Sequence, residues 1–326
     1  MLADYLIPSL LGMAMLLGGM KAMEIALRQW AGSRLSGLLE NATKTPLRGF
    51  LAGAGSSALL QSSTAVTVLT IGLVNSGLLT FSRSFGVILG TNVGTCLTTE
   101  LMSLHIQRYG YPLLSVALAV WLWTALAGEM EVLPAMGPGW SAPLRYGSAA
   151  MAGFAVLLIG FRLLQSIGPH LRASGWFDRV MEHAAAMPVW GVLGGAALAA
   201  AIHSSSAVIG MAMGFADADA LSPQTGMAIV LGANIGTCFT GLLASVGGSR
   251  GGRFVALSQF ALNVSGALLF YPAIGWMHAA AALIAPGQAG AQIAHGQTMF
   301  NVACSLLALP IAYGPRLRGR FRRRNG

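Results

Sequence analysis

The chain has 326 residues, of which 55% are hydrophobic and only 9% charged. An ordinary water-soluble domain carries less apolar and far more charged material, so soluble enzymes and soluble binding modules are excluded and a polytopic membrane protein is implied. The net charge of +9 would suit a nucleic-acid partner, but most of the surplus is one terminal cluster, Arg316, Arg318, Arg320, Arg322, Arg323 and Arg324. Short, attached to no soluble module and placed directly after the last apolar run, that tail reads as a cytoplasmic end near anionic headgroups and not as a nucleic-acid interface.

In chain order, apolar stretches are expected over residues 7–27, 47–60, 65–74, 85–104, 111–126, 146–164, 189–202, 207–216, 224–246, 254–284 and 293–313. The segment before the first carries Asp4 and no basic cluster, so no cleavable signal peptide is expected. Several stretches approach the ~20 residues that span a bilayer. Those flanking 61–64 and 203–206 are shorter and predict paired half-helices. A helix that stops inside hydrocarbon leaves backbone groups unpaired, which is tolerated only where protein or water covers them, so both breaks should face a buried cavity. Basic connectors follow the opening helix of each half, Arg28 to Arg48 and Arg162 to Glu182. The run 129–145, with Pro134, Gly137, Pro138, Gly139 and Pro143, reads as a linker. The expected division is therefore 1–128, a linker 129–145, 146–313 and a basic tail 314–326. Tail and first connector place the carboxyl end inside and the amino end outside.

The chain repeats itself at an offset of about 142 residues, far longer than a solenoid period. Gln61-Ser62-Ser63-Thr64-Ala65 falls on His203-Ser204-Ser205-Ser206-Ala207, and Gly90-Thr91-Asn92-Val93-Gly94-Thr95-Cys96 on Gly232-Ala233-Asn234-Ile235-Gly236-Thr237-Cys238. Gly12 to Met20 likewise resembles Gly153 to Phe161. The matched residues are mainly Gly, Ser, Thr and Asn, where a duplicated apolar scaffold would preserve Leu and Val. Paired halves with Gly-interrupted segments in corresponding positions point to a transporter site near the bilayer midplane.

Hydroxyls donate to an anion and offer lone pairs to a cation, while half-helix amino ends direct free N–H groups toward negative charge. Gly90 to Gly94 and Gly232 to Gly236 are where the long helices are expected to unwind and free carbonyls for a hard cation. Asn92, Thr95, Asn234 and Thr237 would then face the same cavity. A single Ser-Ser-Thr run also suits close helix packing, but two in register followed by Asn-x-Gly-Thr-Cys favour a ligand.

At these residues the chain resembles the type II sodium/phosphate cotransporter family. Phe260-Ala261-Leu262-Asn263, after Arg250 and Arg253, and His295-Gly296-Gln297-Thr298-Met299-Phe300-Asn301 resemble that family's downstream Phe-Asn elements. The resemblance covers nearly the whole chain. It implies an all-α fold of two inverted repeats, each with a re-entrant hairpin, and sodium-coupled symport of inorganic phosphate in the plasma membrane. Carried over by position, Gln61, Ser62, Ser63, Thr64, His203, Ser204, Ser205 and Ser206 would bind substrate. Gln61, Ser63, Thr91, Asn92, Thr95, Ser205, Asn234 and Thr237 would bind sodium. His203 departs from the family's glutamine and, unlike an amide, can take up a proton near neutral pH, so it would make transport pH-sensitive or alter coupling. A PhoU-like domain often follows the membrane part in bacterial members; here such regulation would come from a separate protein. A homodimer is compatible with this reading. Export, another small oxyanion, or a non-transporting sensor that keeps the fold are the alternatives.

No Walker sequence, His-Glu-x-x-His or Gly-x-Ser-x-Gly is present, so neither ATP energisation within the chain nor intramembrane hydrolysis is expected, and Gly53 to Ser57 lacks a phosphate-loop lysine. Apart from sodium, no cofactor is expected. Cys96, Cys238 and Cys304 lie in apolar segments without metal-ligand spacing and read as packing. Glu100 could be an intramembrane acid or mark a helix end. Asp217 and Asp219 are expected to be solvated, and His295, Gln297, Thr298 and Asn301 to brace helices or touch ligand.

Overall fold

The computed structural model describes residues 2–128, 139–167 and 187–314. The basic tail from 315, most of the linker and most of the second connector lie outside the described residues. In chain order the helices are α1 (Leu2–Ala42), α2 (Pro46–Leu60), α3 (Ser63–Asn75), α4 (Phe81–Ser103), α5 (Gly110–Gly128), α6 (Ser141–Ser166), α7 (Val189–Ile202), α8 (Ser205–Asp217), α9 (Pro223–Ala244), α10 (Arg250–Phe270), α11 (Ile274–Ile284) and α12 (Ala289–Ala312). No strand occurs among the described residues. Among the described residues, five helical spans are long and apolar enough to cross a membrane. Large side chains such as Leu268, Trp276 and Leu283 stand exposed on the outside, as a lipid-facing surface requires.

Two expectations about the helices are corrected. The opening helix does not end before the first basic connector: α1 continues through most of it to Ala42, because Ala31, Leu35 and Leu39 keep a buried stripe at four-residue spacing. The expected linker also ends early, since α6 begins at Ser141.

Glycine sets the helix packing. A Cβ on Gly90 would lie 2.0 Å from the Phe50 carbonyl oxygen, and one on Gly94 2.2 Å from that of Ala54. The reciprocal contact is Gly53 against Val87. In the second half Gly232 meets Val192 at 1.9 Å, Gly236 meets Ala196 at 2.2 Å, and Gly195 meets Ile229. Small residues four apart let two backbones touch, which drives helix association in lipid without a hydrophobic term. The expected unwinding at 90–94 and 232–236 is therefore wrong: α4 and α9 run unbroken, and their glycines seat a neighbouring helix.

These contacts also fix directions. Residue numbers rise together along α2 and α4, and along α7 and α9, so each pair is parallel. α4 begins beside the start of α2, with Gly86 against Pro46, so the 13-residue α3 must return toward the side where α2 began. α8 does the same between α7 and α9. Gly12 lies against Gly160 and Gly19 against Gly153, so α1 and α6 are antiparallel. α4 runs parallel to α10, through Phe81 with Phe254 and Asn92 with Asn263, whereas α9 runs antiparallel to α10, through Cys238 with Asn263 and Gly241 with Gln259. The matched helices α4 and α9 thus point in opposite directions.

α8 is buried over most of its length, and Ile209 and Met213 join Leu16, Met102, Phe161 and Ile293 in the largest apolar cluster. α7 buries only Gly191, Gly195 and Ala199, the stripe facing α9.

Candidate substrate cavity

Each break between short helices is built the same way. Gln61 ends α2 with φ of 54° and His203 ends α7 with φ of 61°, both left-handed, a conformation that costs a non-glycine residue roughly 1–2 kcal/mol. A hydroxyl of the following long helix holds each one: Thr98 Oγ1 donates to Gln61 Oε1 at 2.6 Å, and His203 Nδ1 lies 2.7 Å from Thr240 Oγ1. Gln61 Nε2 also donates to the Ala58 carbonyl. The next residue is an N-cap in both cases. Ser62 Oγ accepts from the Ala65 amide and Ser204 Oγ from the Ala207 amide, each at 3.2 Å. The first turns of α3 and α8 then leave the amides of residues 63, 64, 205 and 206 outside the helical ladder.

The two breaks meet. A cavity of about 490 Å3 is lined by Gln61, Ser62, Ser63 and Thr64 from one side and His203, Ser204, Ser205 and Ser206 from the other, with Thr95 and Thr237 behind them. Its volume lies in the ordinary small-ligand range. Ser205 and Ser206 are buried, Gln61 to Thr64 half-buried, and His203 exposed. Thr95 Oγ1 sits 3.1 Å from Ser57 Oγ, and α7 has Ala199 at the position of Ser57. The α1 stripe Leu17, Met20, Lys21 and Glu24 forms a further wall. Lys21 and Glu24 are absent from the sequence-derived set, although a charged pair inside the apolar stretch 7–27 was the available signal.

The other residues expected to hold sodium do not reach this cavity. Thr91 Oγ1 donates to the Ile88 carbonyl, and Asn234 Nδ2 to that of Val230. Asn92 Nδ2 donates to Asn263 Oδ1, and Asn263 Nδ2 in turn contacts Cys238 Sγ at 3.0 Å. The matching contact is Asn301 Nδ2 to Cys96 Sγ at 3.2 Å. Each Phe-Asn element thus bonds the cysteine of one Asn-x-Gly-Thr-Cys segment, and all three cysteines are free thiols.

Around α12 the polar residues brace α4. Thr99 Oγ1 donates to Gln297 Oε1 at 2.6 Å, and the Glu100 carboxylate accepts from Thr298 and pairs with His295 at 3.0 Å. Asp217 is not solvated as expected. Its side chain is 11% exposed and accepts from the Gly290 amide at 2.7 Å and Gln165 Nε2 at 3.0 Å. The equivalent Asn75 accepts from Ser249 Oγ at 2.6 Å. Asp219 is exposed.

A membrane protein with two interrupted helix pairs converging on a hydroxyl-lined cavity belongs architecturally with multi-pass transporters. The family model described as Na+/Pi-cotransporter matches residues 15–166 and again 156–311. The chain belongs to that family and is a multi-pass membrane protein. It is 31% identical over 298 residues to "Uncharacterized protein YqeW" of Bacillus subtilis, covering 90% of this chain and 91% of that one. It is 24% identical over 260 residues to "Putative inorganic phosphate export protein YjbB" of Escherichia coli, covering 79% of this chain and 45% of that one. A shorter match, 34% over 79 residues, covers 23% of this chain and 12% of "Sodium-dependent phosphate transport protein 2A" of Ovis aries. No solved structure matches.

Proposed function

We propose that this chain is a secondary active transporter of the plasma membrane that carries inorganic phosphate with sodium by alternating access. One observation carries the reading: Ser62 to Thr64 and Ser204 to Ser206, far apart in sequence, line a single cavity. Two helix amino ends then face one point, and their free amides and partial positive charges suit a tetrahedral oxyanion. The hydroxyls of Ser63, Thr95, Ser205 and Thr237 donate to the anion and present lone pairs to sodium beside it, with Gln61 holding the first tip. The two halves form inverted repeats. Antiparallel α1 and α6, and opposed α4 and α9, support this, and the return of α3 and α8 supports re-entrant hairpins entering from opposite faces. Substrate and ion would stay near the shared tips while the halves rock around them.

Purified protein in liposomes should take up labelled phosphate when an inward sodium gradient is imposed, and much less with potassium. Absence of uptake in either vesicle orientation would remove the transport reading. Uptake unaffected by sodium would remove symport and leave phosphate transport standing. The Escherichia coli relative's printed name supports a second reading, net export. Comparing flux in right-side-out and inverted vesicles under physiological gradients decides direction.

A further inference from the structure

Lys21 and Glu24 lie inside the first membrane-crossing span, Leu6–Gly32. At about 1.5 Å per residue, Lys21 is roughly 16 Å along the helix from the nearer end of that span, farther than a lysine stem can reach toward an interface. A charge at such depth is rare unless it serves a water-filled pathway. Here it does face one. Leu17, Met20, Lys21 and Glu24 fall at i, i+3, i+4 and i+7, one face of α1, and that face forms a cavity wall. The neighbouring face is committed elsewhere, since Gly12 and Gly19 seat α6.

The pair is asymmetric in two ways. Lys21 Nζ donates to Glu24 Oε2 at 3.1 Å, but the lysine side chain is 63% exposed and the glutamate only 20%. The ammonium therefore sits on a flexible stem in open space, while the carboxylate is set into the wall. In addition, α6 contributes nothing comparable. At the matching positions Arg162 does not line the cavity, and Gln165 is spent on Asp217.

We propose that Lys21 is the residue that takes the charge of the oxyanion, and that Glu24 holds its ammonium in the empty cavity. This rests on the phosphate reading and adds its charge selectivity. The hairpin tips supply amides and hydroxyls, which suit any small anion. Lys21 is the one lysine or arginine among the described lining residues, and its ammonium favours the doubly charged phosphate over the singly charged form. On substrate entry the ammonium leaves Glu24 for the anion.

The test is concentration-dependent phosphate uptake by wild type, K21Q, K21R and E24Q in proteoliposomes. K21Q should raise half-saturation about tenfold, the lower end for losing a charge-assisted hydrogen bond, with a smaller change in maximal rate. It should also blunt the preference for pH values where the dianion dominates. K21R should stay within about threefold of wild type, because its charge persists. E24Q should lower half-saturation about threefold by releasing the ammonium. Unchanged half-saturation in K21Q, or a loss confined to maximal rate, overturns the assignment. Should K21Q fail to insert, E24Q decides alone, and an unchanged or raised value is the overturning result. Wild-type protein that neither binds nor carries phosphate overturns the functional reading as well, whereas normal wild-type uptake with an indifferent K21Q overturns this inference only.

Discussion

The two hairpin tips share a backbone and differ in their surroundings. Gln61 and His203 adopt the same left-handed conformation and lean on threonines at the same spacing, Thr98 and Thr240. Yet the first tip is half-buried throughout, whereas in the second Ser205 and Ser206 are buried beneath an exposed His203. Duplication has kept the parts that set geometry, the left-handed cap, the serine N-cap and the glycine seat. It has let burial and proton chemistry diverge. The second tip thus reads as the fixed wall of the cavity and the first as the more hydrated one.

The largest expected effect tests what the halves share. Gly90→Ala and Gly232→Ala each drive a Cβ into a carbonyl oxygen, at 2.0 and 1.9 Å, and should cost about 3 kcal/mol or more of stability in both halves. Thermal unfolding in detergent reads this directly. A mild effect in one half alone would show that the two seats are not equivalent. Next, Ser205→Ala should raise the half-saturation for phosphate about tenfold and Ser63→Ala only about threefold, because an unmet polar partner costs more where burial excludes water. Uptake kinetics with the reverse order would overturn the contrast in hydration.

A smaller effect separates the caps. Exchanging them, as Gln61→His or His203→Gln, should change uptake only a few-fold at fixed pH. The ratio of wild-type to His203→Gln uptake should nevertheless vary with pH, since an imidazole side chain, unlike an amide, can exchange a proton. A flat ratio would make His203 a hydrogen-bonding cap and nothing more. The smallest effect belongs to Ser57→Ala, which gives α2 the alanine that α7 already has at Ala199. Losing the contact to Thr95 should cost about 1 kcal/mol in thermal stability and leave sodium dependence intact.

Much of this was legible in the residues, and what was not has physical causes. Short apolar lengths either side of each serine cluster led to the interrupted helices, and the register of the repeat led to the shared cavity. The glycines at 90–94 and 232–236 are ambiguous in sequence because glycine both weakens a helix and admits a close neighbour, and only the partner helix reveals which role applies. Asn92 and Asn234 looked like ligands because a buried amide suits an ion as well as a hydrogen bond; their actual partners come from α10 and the Val230 carbonyl. Lys21 and Glu24 were hidden by averaging, since two charges barely lower the hydropathy of a long apolar stretch. The pairing of Thr98 with Gln61 could not be found at all without the fold, although the spacing to Thr240 from His203 is identical.

The last long helices tie the halves together crosswise. α10 meets the end of α3 at Asn75 and bonds Cys238 on α9, while α12 meets the end of α8 at Asp217 and bonds Cys96 on α4. Both helices belong to the second half, so the first half takes the partners of Asn75 and Cys96 from outside itself.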